Sequence, residues 1–300
     1  MEFRSVFIAN PAQLSVRRGQ LVIRQEGEYT LPMEDLSALV LESRAVSLSA
    51  AALQELADQG VTVYLCDETH MPAALVLPMN RHSRQRKLLQ DQIDLSKPTQ
   101  KRLWQGVVTA KIANQARCQR LRGRGGGAAL AFVAPQVRPG APDTRGAAAP
   151  AAYFPALFGP GFTRGEDCLA NAALNYGYAI LRGAVARNLV IHGLEPCLGI
   201  FHRSQLNQFN LADDLMEPYR PLVDLYVASH LSDWEGEALT PRVKQQLVQL
   251  MSYLVEQDGR RYRAISAIGR MAESFSRIVQ GERESLELPA LLPLQPHTYE

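Results

Sequence analysis

The spacing of the hydrophobic residues changes near residue 80, and no one sheet or helix bundle accommodates both spacings. Before that point apolar and polar residues alternate in short runs. Gln13 to Gln25 reads QLSVRRGQLVIRQ, alternating on both sides of Arg18-Gly19 as a hairpin with glycine in its turn does. Ser5 to Ile8, Glu28 to Pro32, Leu36 to Leu41, Val61 to Cys66 and Ala73 to Leu77 complete the series of strands. One helix interrupts them, with Ser49 at its N-cap, apolar residues at helical spacing and Gly60 where it stops. From Arg81 onward the spacing becomes three and four. Helices are predicted over Arg84 to Leu95, Arg102 to Leu121, Asp167 to His192, after Asn210, over Pro241 to Glu256 and over Ala264 to Ile278. The predicted fold is therefore α+β: a small N-terminal mostly-β domain, residues 1–80, followed by a larger all-helical domain, residues 81–300. Met79 to Ser83 supplies a polar hinge.

At 300 residues and 46% hydrophobic content the chain can bury two cores. No run reaches the roughly 18 to 20 uninterrupted apolar residues of a membrane span, and the N-terminus lacks the charged-then-apolar order of a signal peptide, so a cytoplasmic location is expected. Cys66, Cys118, Cys168 and Cys197 show no paired spacing, which argues against a zinc knuckle or a disulfide framework. Gly123 to Ala152 holds ten Ala, six Gly and four Pro, a composition predicted to form a flexible loop. Three prolines between Leu288 and Glu300 exclude a regular helix and predict a peripheral tail.

The net charge of +2 conceals an asymmetry. Twelve Lys or Arg lie between Arg81 and Arg124, among them Arg84, Arg86, Lys87, Lys101, Arg102 and Lys111, against only Asp91 and Asp94. Such a local excess is the footprint of a polyanion-binding surface, although a solvated basic helix has the same composition.

The densest polar cluster runs from Ile200 to Asp224, IFHRSQLNQFNLADDLMEPYRPLVD. On one straight helix His202 and Glu217 would stand roughly 22 Å apart, so they share a site only if the chain turns between them. Asn207 and Asn210 can supply the turn, with Asn210 as N-cap of a short helix ended by Pro218. Asp213 and Asp214 then lie four and three residues before Glu217 on a common face. A histidine converging with carboxylates suits Mg²⁺ or Mn²⁺. A buried histidine held by an aspartate, with no metal, fits the same spacing. A second cluster on an Ala-rich helix contains Asn171, Asn175, Tyr176, Tyr178 and Arg182.

Together with Leu14 to Ile23 (LSVRRGQLVI), Cys66 to Pro72 (CDETHMP), Asn80 to Gln85 (NRHSRQ), Tyr153 to Gly159 (YFPALFG) and Asn171 to Tyr178 (NAALNYGY), these residues resemble the CRISPR-associated integrase-endonucleases. These are the universal adaptation enzymes of CRISPR systems and the first-numbered of the Cas proteins, here most like the variants that accompany type II systems. The resemblance implies a β-domain that dimerises and a helical domain that holds one divalent ion. Carried over by position, His202 and Glu217 are ligands, with Asp213 or Asp214 as secondary candidates. It also implies duplex DNA as substrate, inserted as new spacers by transesterification, homodimers bridged by a small second adaptation protein, and no membrane.

One position departs from the family pattern. The first ligand should open a motif of the form E-G-x-A-A-x-x-Y-F, but Arg145 to Phe154 reads RGAAAPAAYF and places Gly146 there. Ala147 or Ala148, one or two residues on, offer no ligand either. Between Asp94 and Glu166 the only acidic residue is Asp143, the one nearby carboxylate that could stand in. Two readings follow: a metal-dependent DNA endonuclease and integrase, or a DNA-binding scaffold of the same fold with impaired chemistry.

Overall fold

The computed structural model describes residues 4–78, 84–123, 125, 127–138, 152–234, 236 and 238–297. The chain divides into two compact units, Met1–Ser83 and Arg84–Glu300.

The first unit carries two four-stranded mixed sheets and one helix. Strands β1 (Arg4–Ile8), β5 (Leu36–Leu41), β7 (Thr62–Cys66) and β8 (Pro72–Val76) form one sheet in that order, parallel except for the β7–β8 pair. β4 (Glu28–Pro32), β3 (Gln20–Arg24), β2 (Ala12–Arg17) and β6 (Val46–Leu48) form the other. Arg17 pairs with Gln20, so Arg18-Gly19 is a two-residue loop, and φ of 54° and 72° at these residues match the primed turn that suits strand twist. The first helix, α1 (Ala50–Asp58), is capped as expected: the Ala52 N–H donates to Ser49 Oγ at 3.2 Å, and Gly60 follows with φ 71°. Leu14, Leu21, Leu39, Leu56 and Val63 meet in the core, each at most 1% exposed.

The second unit is built on two long helices, α3 (Lys97–Leu121) and α6 (Leu169–Ile191). Ser96 caps α3 by accepting from the Thr99 N–H, and Pro98 occupies its first turn, so the helix starts five residues before the predicted Arg102. α2 (Gln85–Ile93) precedes it, and α7 (Asn210–Met216), a 3-10 turn at Glu217–Tyr219 and α8 (Arg220–His230) run on from one another. A Cβ at Gly177 of α6 would lie 2.5 Å from Val223 Cγ1, so glycine there permits the close approach of α6 and α8.

Four expectations change. The larger unit is not entirely helical: β9 (Tyr253–Gln257), β10 (Arg260–Arg263) and β11 (Ala290–Pro296) form a sheet of order β10-β9-β11. The expected helix from Pro241 to Glu256 ends at Gln249 (α9, Pro241–Gln249), and Asp258-Gly259, with φ of 52° and 71°, turns a hairpin. The expected tail is the edge strand β11, where prolines are tolerated because no further strand needs their N–H. The stretch 123–152 is also not wholly a loop: α4 (Gly127–Val133) and a 3-10 turn at Ala134–Gln136 lie within it. Gly127 lets α4 sit on α3, since a Cβ would stand 2.9 Å from the Ala116 carbonyl oxygen. Residues 139–151, and with them Asp143 and Gly146, lie outside the described residues, as does Arg81. α5 (152–158) follows, and α10 (Ala264–Val279) packs on α6.

Candidate active site

The chain between α6 and α7 is folded by side-chain bonds rather than by regular structure. Asn210 is its clasp: Nδ2 donates to the carbonyls of Cys197, Ser204 and Asn207 at 2.8–3.2 Å, and Oδ1 accepts from the Ser204 N–H. It is therefore not the N-cap the spacing suggested; the bonds it makes are to the preceding loop, and α7 begins without a side-chain cap. Nor does Pro218 end the helix in isolation, since α7 has already closed at Met216 and Pro218 lies in the tighter turn that leads into α8.

Asp214 is fully buried beneath this loop. Its Oδ2 accepts from the Phe201 N–H at 2.9 Å and its Oδ1 from the His202 N–H at 3.1 Å. The His202 ring adds a third bond, Nδ1 to Asp214 Oδ1 at 2.6 Å, which sets the tautomer and leaves Nε2 for the pocket. The bond to Asp214 raises the His202 pKa, partial burial opposes the rise, and Asp214, Glu217 and Asp213 reinforce it by charge. Gly199 makes the packing possible: a Cβ there would stand 2.3 Å from the His202 carbonyl oxygen and 2.9 Å from Asp214 Oδ2.

Three residues on, Glu217 is 6% exposed and has cationic partners: Lys111 Nζ at 2.7 Å from Oε2 and Arg220 Nη1 at 3.0 Å from Oε1. Burial opposes its ionisation, but Arg220 and Lys111 outweigh burial and hold its pKa below the usual carboxylate value. Asp213 pairs with Arg182 Nε and accepts from Asn207 Nδ2, both at 2.7 Å.

His202, Asp213 and Glu217 line one cavity of about 350 Å³, joined there by Arg164, Arg182 and Arg220. Asn175 and Tyr178 complete the wall. Arg164 donates to Asn171 Oδ1 and, at 2.7 Å, to Asn175 Oδ1. Tyr178 carries a guanidinium from each of two arginines near its ring, Arg164 at 5.5 Å and Arg220 at 4.1 Å. Beneath the wall, Asp224 accepts from the hydroxyls of Tyr178 and, at 2.9 Å, Tyr153. Burial pushes Asp224 up to about 6, although both tyrosine hydrogen bonds and Arg220 pull the other way.

The expected residues thus divide. His202, Glu217, Asp213, Asn175, Tyr178 and Arg182 are brought together; Asp214 serves the histidine and does not line the cavity. Tyr176 is buried beneath Lys244 Nζ, 5.9 Å from its ring, and lines no part of the cavity. Of the expected DNA-contacting cations, Arg84, Arg86, Lys87, Lys101 and Arg102 are exposed, whereas Lys111 is turned inward to Glu217. Arg164, Arg220 and Asp224 were not singled out by sequence; only Arg220 carries a local signal, three residues after Glu217 on a helical turn.

His202 and Glu217 are donors of the kind a divalent ion takes, but among the described residues no group of three His, Cys, Asp or Glu is placed to hold one. Among the described residues, His202 and Glu217, the latter already carrying two cations, do not by themselves complete a metal site.

A family model described as CRISPR associated protein Cas1 matches residues 6–134 and 163–240. The CRISPR-associated endonuclease Cas1 of Neisseria meningitidis serogroup C (strain 8013) is 42% identical over 304 residues, covering 100% of both chains. A second relative of the same description, from Pyrobaculum aerophilum, is 29% identical over 80% of this chain and 93% of its own. Among solved structures, a casposase bound to its integration product shares the fold with a TM-score of 0.78 at 17% identity, over 96% of this chain and 93% of that one. A Cas1 protein from Thermotoga maritima does so with a TM-score of 0.76 at 14% identity, over 94% and 99%. With the family model spanning more than half its length and a full-length relative 42% identical, the chain belongs to the Cas1 family of CRISPR-associated proteins.

Proposed function

We propose that this chain binds the ends of duplex DNA fragments in CRISPR adaptation, where such fragments are inserted into the array by transesterification, and that Gly146 weakens the chemical step. The observation that carries this reading is the cavity in which an oriented His202 faces Glu217 among three arginines. Arg164, Arg182 and Arg220 are suited to a phosphodiester, because guanidinium groups match its oxygens in pairs. His202, tied through Nδ1, presents its other nitrogen at a fixed angle, and Tyr178, held by Asp224, keeps Arg164 and Arg220 in place from behind.

Mg²⁺ or Mn²⁺ would supply stabilisation of charge on the attacking and leaving oxygens. His202 and Glu217 are the ligands proposed here, and a carboxylate at position 146 is the missing third. The exposed cations of α2 and α3 would follow phosphates with little sequence preference, so affinity falls steeply with salt. The partners proposed with this reading are duplex DNA, a second copy joined through the N-terminal unit, and the small second adaptation protein that bridges two dimers. Solved neighbours include a Cas6-RT-Cas1–Cas2 complex and a Cas1–DNA complex, at 16% and 20% identity. The setting is the cytoplasm; no helix among the described residues is long and apolar enough to cross a membrane.

A second reading, a DNA-binding scaffold without chemistry, is motivated by Gly146 in the sequence, where the family pattern has a glutamate. A Mn²⁺-dependent strand-transfer assay on labelled duplex ends and a supercoiled target separates the two. The unmodified chain is expected to bind DNA and transfer weakly, Gly146→Glu to raise transfer, and His202→Ala in that background to abolish it. Full activity that is indifferent to position 146 would sink the ligand assignment; complete inactivity of the unmodified chain would select the scaffold.

A further inference from the structure

The two oxygens of Glu217 are each met by a cation, and the cations come from different elements. Arg220, on the turn that follows, meets Oε1 at 3.0 Å, lines the cavity and rests its guanidinium 4.1 Å from the centre of the Tyr178 ring. Lys111 meets Oε2 at 2.7 Å, comes from α3 and lines no part of the cavity. Its side chain is only 13% exposed, so this ammonium is withheld from a DNA strand passing over the surface.

The lysine is also fixed where it stands. Asn114, one turn further along the same face of α3, donates to the Pro218 carbonyl at 2.8 Å and accepts from the Leu291 N–H at 2.9 Å. A slide of α3 past the turn that carries Glu217 would break both bonds. The ammonium therefore parts from Glu217 only by movement of its own side chain, which takes a largely buried charge off its carboxylate at considerable cost.

This arrangement acts in opposite directions on two kinds of ligand. A divalent ion approaches a carboxylate oxygen to about 2.1 Å, and one reaching Oε2 meets the ammonium already there. Like charges at that range repel strongly where water is largely excluded. A phosphate facing Arg164, Arg182 and Arg220 gains instead, because the negative charge of Glu217 beside them is offset from behind.

We infer that Lys111 is a resident counter-cation and positioning residue for Glu217, which sets the cavity to favour a phosphate over a divalent ion. The inference rests on the ligand and DNA reading given above and adds to it a competitor built into α3. It also gives one lysine of the basic segment a role other than contact with DNA.

Lys111→Gln isolates the charge, since glutamine keeps an N–H donor for Oε2, and Lys111→Arg retains the charge. Mn²⁺ binding is followed by electron paramagnetic resonance of the free ion in the Gly146→Glu chain, which supplies the third carboxylate. Adding Lys111→Gln should raise Mn²⁺ affinity on the order of tenfold, and adding Lys111→Arg should leave it unchanged. In parallel, a blunt duplex is titrated by anisotropy against the chain with Gly146 intact, at low salt with EDTA. Here Lys111→Gln should weaken binding by a few fold and Lys111→Arg should not.

The opposite signs are the signature, because damage to folding would lower both affinities together. Mn²⁺ affinity that falls or does not change in Lys111→Gln overturns the inference. If Gly146→Glu takes up no more Mn²⁺ than the unmodified chain, the ligand reading fails instead, and the duplex decides for Lys111: unchanged affinity in Lys111→Gln overturns its role. If the unmodified chain binds no duplex, the DNA reading fails, and the Mn²⁺ titration decides alone.

Discussion

The two halves of the main cavity use carboxylates in opposite ways. On the His202 side, Asp214 is sealed from water and surrounded only by donors it organises: two loop N–H groups and the imidazole. On the α8 side, Glu217 is itself the group being organised, clamped between Lys111 and Arg220. A carboxylate that accepts three bonds sets the shape of a loop. One held by two cations stores charge that an incoming phosphate or metal ion can redistribute. The first half is a structural commitment, and the second is adjustable.

The sharpest way to break this contrast is Asp214→Ala. It strands two buried N–H donors and the ring, and should cost about 3–4 kcal/mol of unfolding free energy by chemical denaturation. In the intact chain His202 has a raised pKa in the folded state. Its stabilising contribution is therefore complete below the ordinary imidazole value of 6.5 and is lost as pH rises through the folded value. Removing Asp214 should bring the His202 titration, followed by NMR, back toward 6.5. An unchanged titration would mean that the aspartate does not govern the histidine.

Glu217→Gln probes the adjustable half. It keeps the size and part of the hydrogen bonding but removes the negative charge that Lys111 and Arg220 meet at this position, so about 2 kcal/mol of stability should be lost. The cavity becomes more positive, and duplex DNA should bind more tightly at low salt in an anisotropy titration. Weaker binding would show that Glu217 does not restrain the field of those two cations.

The smallest effect belongs to Asp224, which lies under both halves. Its folded pKa, raised to about 6 from 3.8, means that the folded state binds the extra proton between those values. Stability should therefore rise on acidification from about pH 6 toward 4, by on the order of 1 kcal/mol in thermal melts. Asp224→Asn should flatten that rise. A wild-type profile already flat across this window would place the proton elsewhere.

Much of this was readable in the sequence because it depends on neighbours along the chain. Arg18-Gly19 announces its turn and Ser49 its cap, and the run from His202 to Glu217 carries both halves of the main cavity within sixteen residues. What was not readable depends on long-range partners. Lys111 looks like one more cation in a basic segment, yet it is turned inward to Glu217, over a hundred residues away. Asn114 is similar: it donates to the carbonyls of Pro218 and Pro289 and accepts from the Leu291 N–H, tying α3 to the α7–α8 turn and to β11. The sheet of β9, β10 and β11 escaped because its first strand follows α9 after a single turn, so the apolar spacing runs on without a break. Asp258-Gly259 was the available sign of it.

α3 also measures distance. Lys101 is exposed and Lys111 is turned inward to Glu217, ten residues apart on one uninterrupted helix, which is about 15 Å along its axis. The outward cation and the inward one are held by that rod as two fixed stops. Deleting one residue between the two lysines would shorten the gauge by only about 1.5 Å but swing one stop through about 100°. The separation between the surface charge and the charge set against Glu217 is then a property of the helix that carries both.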